Sequence, residues 1–267
     1  MGILAVAAGI YLVVLVVLWA MQERLTFPAP KAPLPDPVQA VGVGERVELK
    51  MKDGTTLVGW YLPPIHPPSS PFPALLWFYG NGENIAAIWP ILRDFRPRAA
   101  GLLVLDYPGY GGSGGRATEA GLNESADLAY DALAHRAGVD HRRIYVYGRS
   151  LGSAAATYVA VNHDVAGLIL ESPFTSARAM AARLYRIFPT ALVRIGLDNL
   201  GRIKQIHCPT LIFHGNADAL VPIEMGQELA RAAAGPVEFV IIDRSGHNDT
   251  YELGAKAYRD KLAAFVK

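Results

Sequence analysis

The segment Gly148-Arg149-Ser150-Leu151-Gly152 restricts the fold of this chain more than any other stretch. It directly follows the apolar run Ile144-Tyr145-Val146-Tyr147 and precedes the small-residue run Ser153-Ala154-Ala155-Ala156. A G-x-S-x-G between a strand and a helix is a sharp turn that leaves the serine Oγ standing clear of the backbone. The flanking glycines are required because a Cβ at either position would collide with the neighbouring strand or helix. A serine hydroxyl is a weak nucleophile until a base takes its proton, so the turn acquires chemical meaning only with partners. Without them it is a structural turn with an exposed serine.

Candidate partners lie downstream, each just past an apolar run. Thr210-Leu211-Ile212-Phe213-His214-Gly215 reads as a buried strand and leads into Asn216-Ala217-Asp218. Val237-Glu238-Phe239-Val240-Ile241-Ile242 reads as another and leads toward Ser245-Gly246-His247. Parallel strands present their carboxyl ends on one edge of a sheet, where residues distant in sequence converge. There His247 would take the proton of Ser150 and return it to the leaving group, while Asp218 fixes the imidazole tautomer. His247 is the only histidine after Asp218; the other six fall in loops, connections or, for His214, at a strand end. Glu171, after the run 167–170, and Asp243 remain rivals to Asp218 as the acid.

Acyl transfer through a serine also needs N–H donors for the tetrahedral oxyanion. The backbone amide of Leu151, at the start of the helix after the turn, is one expected donor. The apolar run Ala74-Leu75-Leu76-Trp77-Phe78 enters the loop Tyr79-Gly80-Asn81-Gly82-Glu83-Asn84, whose glycines let the Asn81 amide aim back at Ser150. Alone, that loop is equally an ordinary strand-to-helix turn.

These segments recur in a fixed order with Asp106-Tyr107-Pro108-Gly109-Tyr110-Gly111-Gly112-Ser113-Gly114, Glu171-Ser172-Pro173-Phe174-Thr175-Ser176 and Gly246-His247-Asn248-Asp249. With them the chain resembles a bacterial member of the α/β-hydrolase superfamily, similar to Bem46-like and ABHD13-like serine hydrolases, over nearly everything after residue 45. The resemblance implies an α/β-hydrolase fold, a mainly parallel sheet flanked by helices, and an acyl hydrolase whose substrate it leaves unnamed. It departs at Tyr79, where such proteins usually carry histidine; since the donor there is a backbone amide, the change bears on loop packing more than on catalysis. Relatives that use an aspartate nucleophile, the dehalogenases and epoxide hydrolases, are disfavoured by Ser150.

At 267 residues the chain accommodates one α/β domain and an appendage. A net charge of +1 without a basic stripe argues against nucleic acid as a partner. The sole cysteine, Cys208, allows no internal disulfide, and no histidine or acidic spacing suits a metal, so neither metal nor cofactor is expected.

The appendage is the uncharged, Leu-, Val-, Ile- and Ala-rich stretch 2–21. About 20 such residues cross a bilayer as a helix. No basic residue precedes the run and its exit, Leu18-Trp19-Ala20-Met21, is a weak cleavage site, so an uncleaved anchor over 1–24 is expected; a signal peptide or a buried helix are the other readings. For a bacterial protein this places the enzyme on the inner membrane, with the side left open. Residues 25–44 alternate prolines and read as a semi-rigid polyproline spacer. The hydrolase domain follows over 45–267, opening with a hairpin around Asp53-Gly54 and closing with a helix over 255–266. A short helical cap is expected at about 174–206; its Arg178, Arg183, Arg186 and Arg194 interleave with large apolar residues, suiting either an anionic membrane surface or a plain cover over the sheet. The expected function is cleavage of a small-molecule acyl ester or thioester at a membrane, with a serine peptidase or a non-catalytic binding protein as alternatives.

Overall fold

Alternating apolar runs and helical segments assemble one eight-stranded sheet. The computed structural model describes residues 2–66 and 71–267, so 67–70, within the loop expected over 63–73, lie outside the described residues. The strands are β1 (Glu45–Lys50), β2 (Thr56–Leu62), β3 (Phe72–Phe78), β4 (Gly101–Leu105), β5 (Val139–Arg149), β6 (Gly167–Glu171), β7 (Thr210–Gly215) and β8 (Val237–Ile242). They lie in the order β1-β2-β4-β3-β5-β6-β7-β8. The hairpin strands β1 and β2 are antiparallel, β2 meets β4 antiparallel, and every pairing from β4 to β8 is parallel. Sheets covered on both faces need continuous rather than alternating apolar runs. That is what β4, β6 and β7 provide, buried at every position. The outer strand β1 instead exposes Glu45, Arg46, Glu48 and Lys50, charges that discourage edge-to-edge pairing.

The helices are α1 (Gly2–Ala20), α2 (Gln22–Thr26), α3 (Pro37–Val41), α4 (Ile85–Phe95), α5 (Glu119–Ala134), α6 (Gly152–Asn162), α7 (Ala177–Leu184), α8 (Asn199–Ile203), α9 (Ile223–Ala232) and α10 (Thr250–Phe265). Small residues let α6 press onto the sheet, burying Ser153, Ala154, Ala155 and Ala156. The cap consists of α7, a 3-10 turn over Thr190–Leu192, and α8. The last helix starts earlier than the apolar pattern indicates: a turn from Thr250 buries Tyr251, then the backbone breaks at Ala255 with φ +42°.

The segment that follows the N-terminal helix departs most from expectation. Helix α1 has no buried residue. The Pro-rich stretch after it does not extend away as a spacer; it is strapped across the domain. Phe27 is buried against the core. Gly111 N–H donates to Pro30 O at 2.8 Å, and Lys31 bridges to Gly111. Trp60 Nε1 donates to Pro35 O at 3.0 Å, and the Asp36 side chain caps α3. Polyproline geometry leaves backbone carbonyls unpaired, and these become acceptors for the domain. A chain beginning at Pro37 therefore loses a buried phenylalanine that one beginning at Gln22 keeps. Thermal or denaturant unfolding should show the shorter chain less stable by about 3 kcal/mol, the range for truncating a buried aromatic; equal stability would show that the strap holds nothing.

Candidate active site

The turn after β5 has the strain its sequence demands. Ser150 adopts φ +49°, in the left-handed region that side chains avoid. A Cβ on Gly148 would meet Gly152 O at 2.3 Å, and one on Gly152 would meet Phe78 O at 2.2 Å. Strand β5 and helix α6 thus touch backbone to backbone. Ser150 N–H donates to Glu171 O at 2.9 Å, and Ser150 O accepts from both the amide and the hydroxyl of Ser153.

The loops after β7 and β8 bring Asp218 and His247 to this turn. His247 Nε2 lies 3.0 Å from Ser150 Oγ, and His247 Nδ1 lies 2.7 Å from Asp218 Oδ2. With the Nδ1 proton donated to the carboxylate, Nε2 is left as an acceptor facing the serine hydroxyl. Asp218 Oδ1 accepts from the amides of Leu220 and Val221. Burial works to raise the Asp218 carboxyl, but the hydrogen bond from His247, the imidazole charge and the Val221 amide outweigh it, leaving the carboxyl below its usual range. The rival acids stand apart: Asp243 is at the surface with Asn216, and Glu171 is fully buried in a different cluster. His214 is also buried, donating from Nε2 to Val221 O.

Asn81 and Leu151 line the same cavity as Ser150, and among the described residues neither backbone N–H has a protein acceptor. The Asn81 side chain makes three hydrogen bonds: Nδ2 donates to Thr26 O at 2.7 Å, and Oδ1 accepts from the Tyr110 hydroxyl and the Gly82 amide. Tyr79 packs inside the loop, its hydroxyl donating to Asp106 and its carbonyl accepting from Tyr107. The cavity, about 200 Å³, is bounded by apolar side chains such as Phe174, Met180 and Leu184, and none of its described lining residues is acidic.

A model of the alpha/beta hydrolase fold matches residues 73–192. The chain is 33% identical to the uncharacterized protein Rv2307c of Mycobacterium tuberculosis, over 99% of this chain and 94% of that protein. The chain belongs to the α/β-hydrolase superfamily. It is also 30% identical to alpha/beta hydrolase domain-containing protein 17B of Xenopus laevis, across 72% of this chain and 65% of that protein. Its fold is similar to that of the Pyrococcus furiosus esterase Pf2001, with a TM-score of 0.73, 19% identity and coverage of 89% of this chain and 97% of the esterase. A Mycobacterium tuberculosis puromycin-hydrolyzing peptidase shares the fold at a TM-score of 0.69 and 18% identity, covering 83% of this chain and 38% of the peptidase.

Two contributors to this α/β-hydrolase site escape sequence reasoning. Leu25 and Thr26 of α2 form a wall of the cavity, although they lie far from Ser150 in the chain. Arg149, the variable residue of the turn, is buried and points away from the cavity into a cluster of acceptors. Its Nε donates to Glu171 at 3.2 Å, one Nη to Glu83, and the other to His247 O at 2.7 Å and Asn248 Oδ1 at 2.8 Å. Glu83 in turn accepts from the Gly80 amide at 2.6 Å, one residue before Asn81. A basic residue inside an otherwise small and apolar turn was the available signal, but its partners are non-local. Burial alone would lower the Arg149 pKa; Glu171 and Glu83 reverse that and raise it, so the guanidinium stays charged.

Arg149 is therefore a positioning residue for the His247 loop and for the loop carrying Asn81. Arg149→Met leaves two carboxylates without their cation and should destabilise the fold by about 3–5 kcal/mol. Arg149→Lys keeps the charge without the fork and should lower kcat roughly 10²-fold with little change in KM, as small misplacements of reacting groups do. Steady-state kinetics beside denaturant unfolding check both; a wild-type kcat for Arg149→Lys would remove the positioning role.

Proposed function

We propose that this chain is a membrane-anchored serine hydrolase that cleaves carboxylic esters. The observation that carries the reading is the line Ser150 Oγ, His247, Asp218, at 3.0 and 2.7 Å, opening onto an apolar cavity. Ser150 Oγ attacks the ester carbonyl while His247 Nε2 takes its proton, and Asp218 stabilises the imidazolium so formed. The amides of Asn81 and Leu151 receive the developing oxyanion. Collapse of the tetrahedral intermediate breaks the ester C–O bond, His247 returns the proton to the alcohol, and the acyl group remains on Ser150. Water, deprotonated by His247, then releases the carboxylic acid by the same route in reverse.

Specificity for esters over peptides is supported by the absence of carboxylates among the described lining residues, which leaves nothing to hold a peptide amine. Acyl thioesters fit the same steps, with a thiol leaving. Ser150→Ala should abolish labelling by a fluorophosphonate and lower ester hydrolysis by at least roughly 10⁴-fold. His247→Ala should be nearly as severe, and Asp218→Asn should cost about 10⁴-fold through the wrong tautomer. A panel of p-nitrophenyl esters, acyl thioesters and peptide anilides reads these variants; labelling retained in Ser150→Ala would sink the assignment.

Retention of the N-terminal helix is supported by two observations. Gly2–Ala20 forms one 19-residue helix of mean hydropathy 2.8 with no buried residue. The residues just beyond it are built into the domain: Gln22 is buried, and Glu23 pairs with Arg116 at 2.7 Å. Membranes washed with alkaline carbonate should keep the full-length chain in the pellet. Its release would mean that α1 does not anchor it.

A further inference from the structure

We propose that the acyl chain of the substrate lies in a channel walled on one side by the anchor itself, and that it enters from the bilayer between α1–α2 and the cap. This rests on the anchored serine-esterase reading and names its substrate class: long-chain acyl esters already dissolved in the membrane.

The first observation is continuity of cavities. The cavity at Ser150 passes between Leu25 and Thr26 of α2 on one side and Ala177, Ala181 and Tyr185 of the cap on the other. A second cavity, about 50 Å³, shares those same residues and continues outward to Leu18 of α1, Phe188 and Val193. Together they lead from the serine to the foot of the anchor helix. Gln22, the most polar residue on the way, is neutralised by the cap backbone: Nε2 donates to Leu192 O and Oε1 accepts from Arg194 N–H, both at 2.8 Å.

The second observation is how the anchor lies against the cap. The Arg194 guanidinium stacks 4.2 Å over the Trp19 ring and donates to Trp19 O, and the Tyr11 hydroxyl donates to Ile187 O at 2.8 Å. Tyr11 precedes Ala20 by roughly 13 Å at the α-helical rise. A helix that crosses a bilayer therefore carries the cap tip down with it. The cap shows apolar side chains at that level: Leu184 is 52% exposed, Ile187 64% and Leu192 38%. An apolar patch continuous with a membrane helix is a surface for lipid. The arginine stems between them are long enough to return their heads to the polar layer; the Arg183 head already reaches Ala219 O.

The physical consequence concerns desolvation. An acyl chain that reached Ser150 through water would expose each methylene on the way. Along this route it exchanges lipid neighbours for Leu18, Leu25 and Phe188. The polar ester carbonyl, at the leading end, stops where Asn81 and Leu151 offer amides, and the acyl chain trails behind it toward the bilayer.

The test uses the full-length chain in phosphatidylcholine vesicles, comparing p-nitrophenyl palmitate with p-nitrophenyl acetate. Leu18→Trp fills the outer cavity from a residue that does not line the Ser150 cavity. The palmitate-to-acetate ratio of kcat/KM should fall at least tenfold in that variant; an unchanged ratio overturns the channel while leaving the esterase reading standing. Hydrolysis of neither ester by the wild-type chain overturns both. A second measurement needs no variant: a hexadecyl fluorophosphonate with a terminal diazirine, attached at Ser150 and photolysed, should cross-link to residues 11–26 or 184–195. Cross-links confined to Leu220 and Val221, which the outer cavity does not reach, would refute the path.

Discussion

The guanidinium of Arg149 is the interaction on which the site depends. Its planar fork reaches three separate parts of the chain at once: Glu171 at the end of β6, Glu83 in the loop after β3, and the His247 carbonyl after β8. A buried charge is tolerated only when paired and fully hydrogen-bonded, and here every nitrogen finds an acceptor. Glu171 spends its remaining capacity on Tyr147, Tyr258 and Thr250, tying the start of α10 to the same point. Such a network is unforgiving of partial satisfaction, which is why it holds its members in one arrangement. Directly above it sits Ser150, one residue along the chain.

A second set of ties joins that centre to the N-terminal segment. Asn81 holds the loop after β3 to Thr26 through its side chain and also lines the cavity. Tyr110 holds Asn81 from the other side and packs in the cluster that receives Phe27. The strap, the loop after β3 and the domain core are therefore one mechanical unit. What began in the sequence as a tether is part of the wall.

Legibility in the sequence follows how local each signal is. The turn at Ser150, the runs that became β5, β7 and β8, and the positions of Asp218 and His247 are each set by residues within a few places of one another, and all were readable. So was the loop at Asn81, because glycines announce it. Chain order leaves Asp218 and Glu171 level, since both lie between Ser150 and His247; in the structure Asp218 is the one beside His247, and Glu171 is occupied by Arg149 and two tyrosines. The strap was misread because proline reports local shape and says nothing about what accepts hydrogen bonds from the carbonyls. The partners of Arg149 and the role of Leu25 are invisible for the same reason, since each is a contact across scores of residues. The early start of α10 was hidden by the break at Ala255, where an unfavourable φ is imposed by packing rather than by composition.

The positive φ of Ser150 has one more consequence. A side chain held there costs of order 1–3 kcal/mol, whereas glycine would sit in that conformation freely and give back only about 1 kcal/mol in unfolded-chain entropy. On stability alone, then, position 150 belongs to glycine. The serine persists against the preference of its own backbone, so the folded state carries a standing deficit at the very residue around which it is organised. Selection that acted on persistence of the fold, blind to turnover, would erase it first.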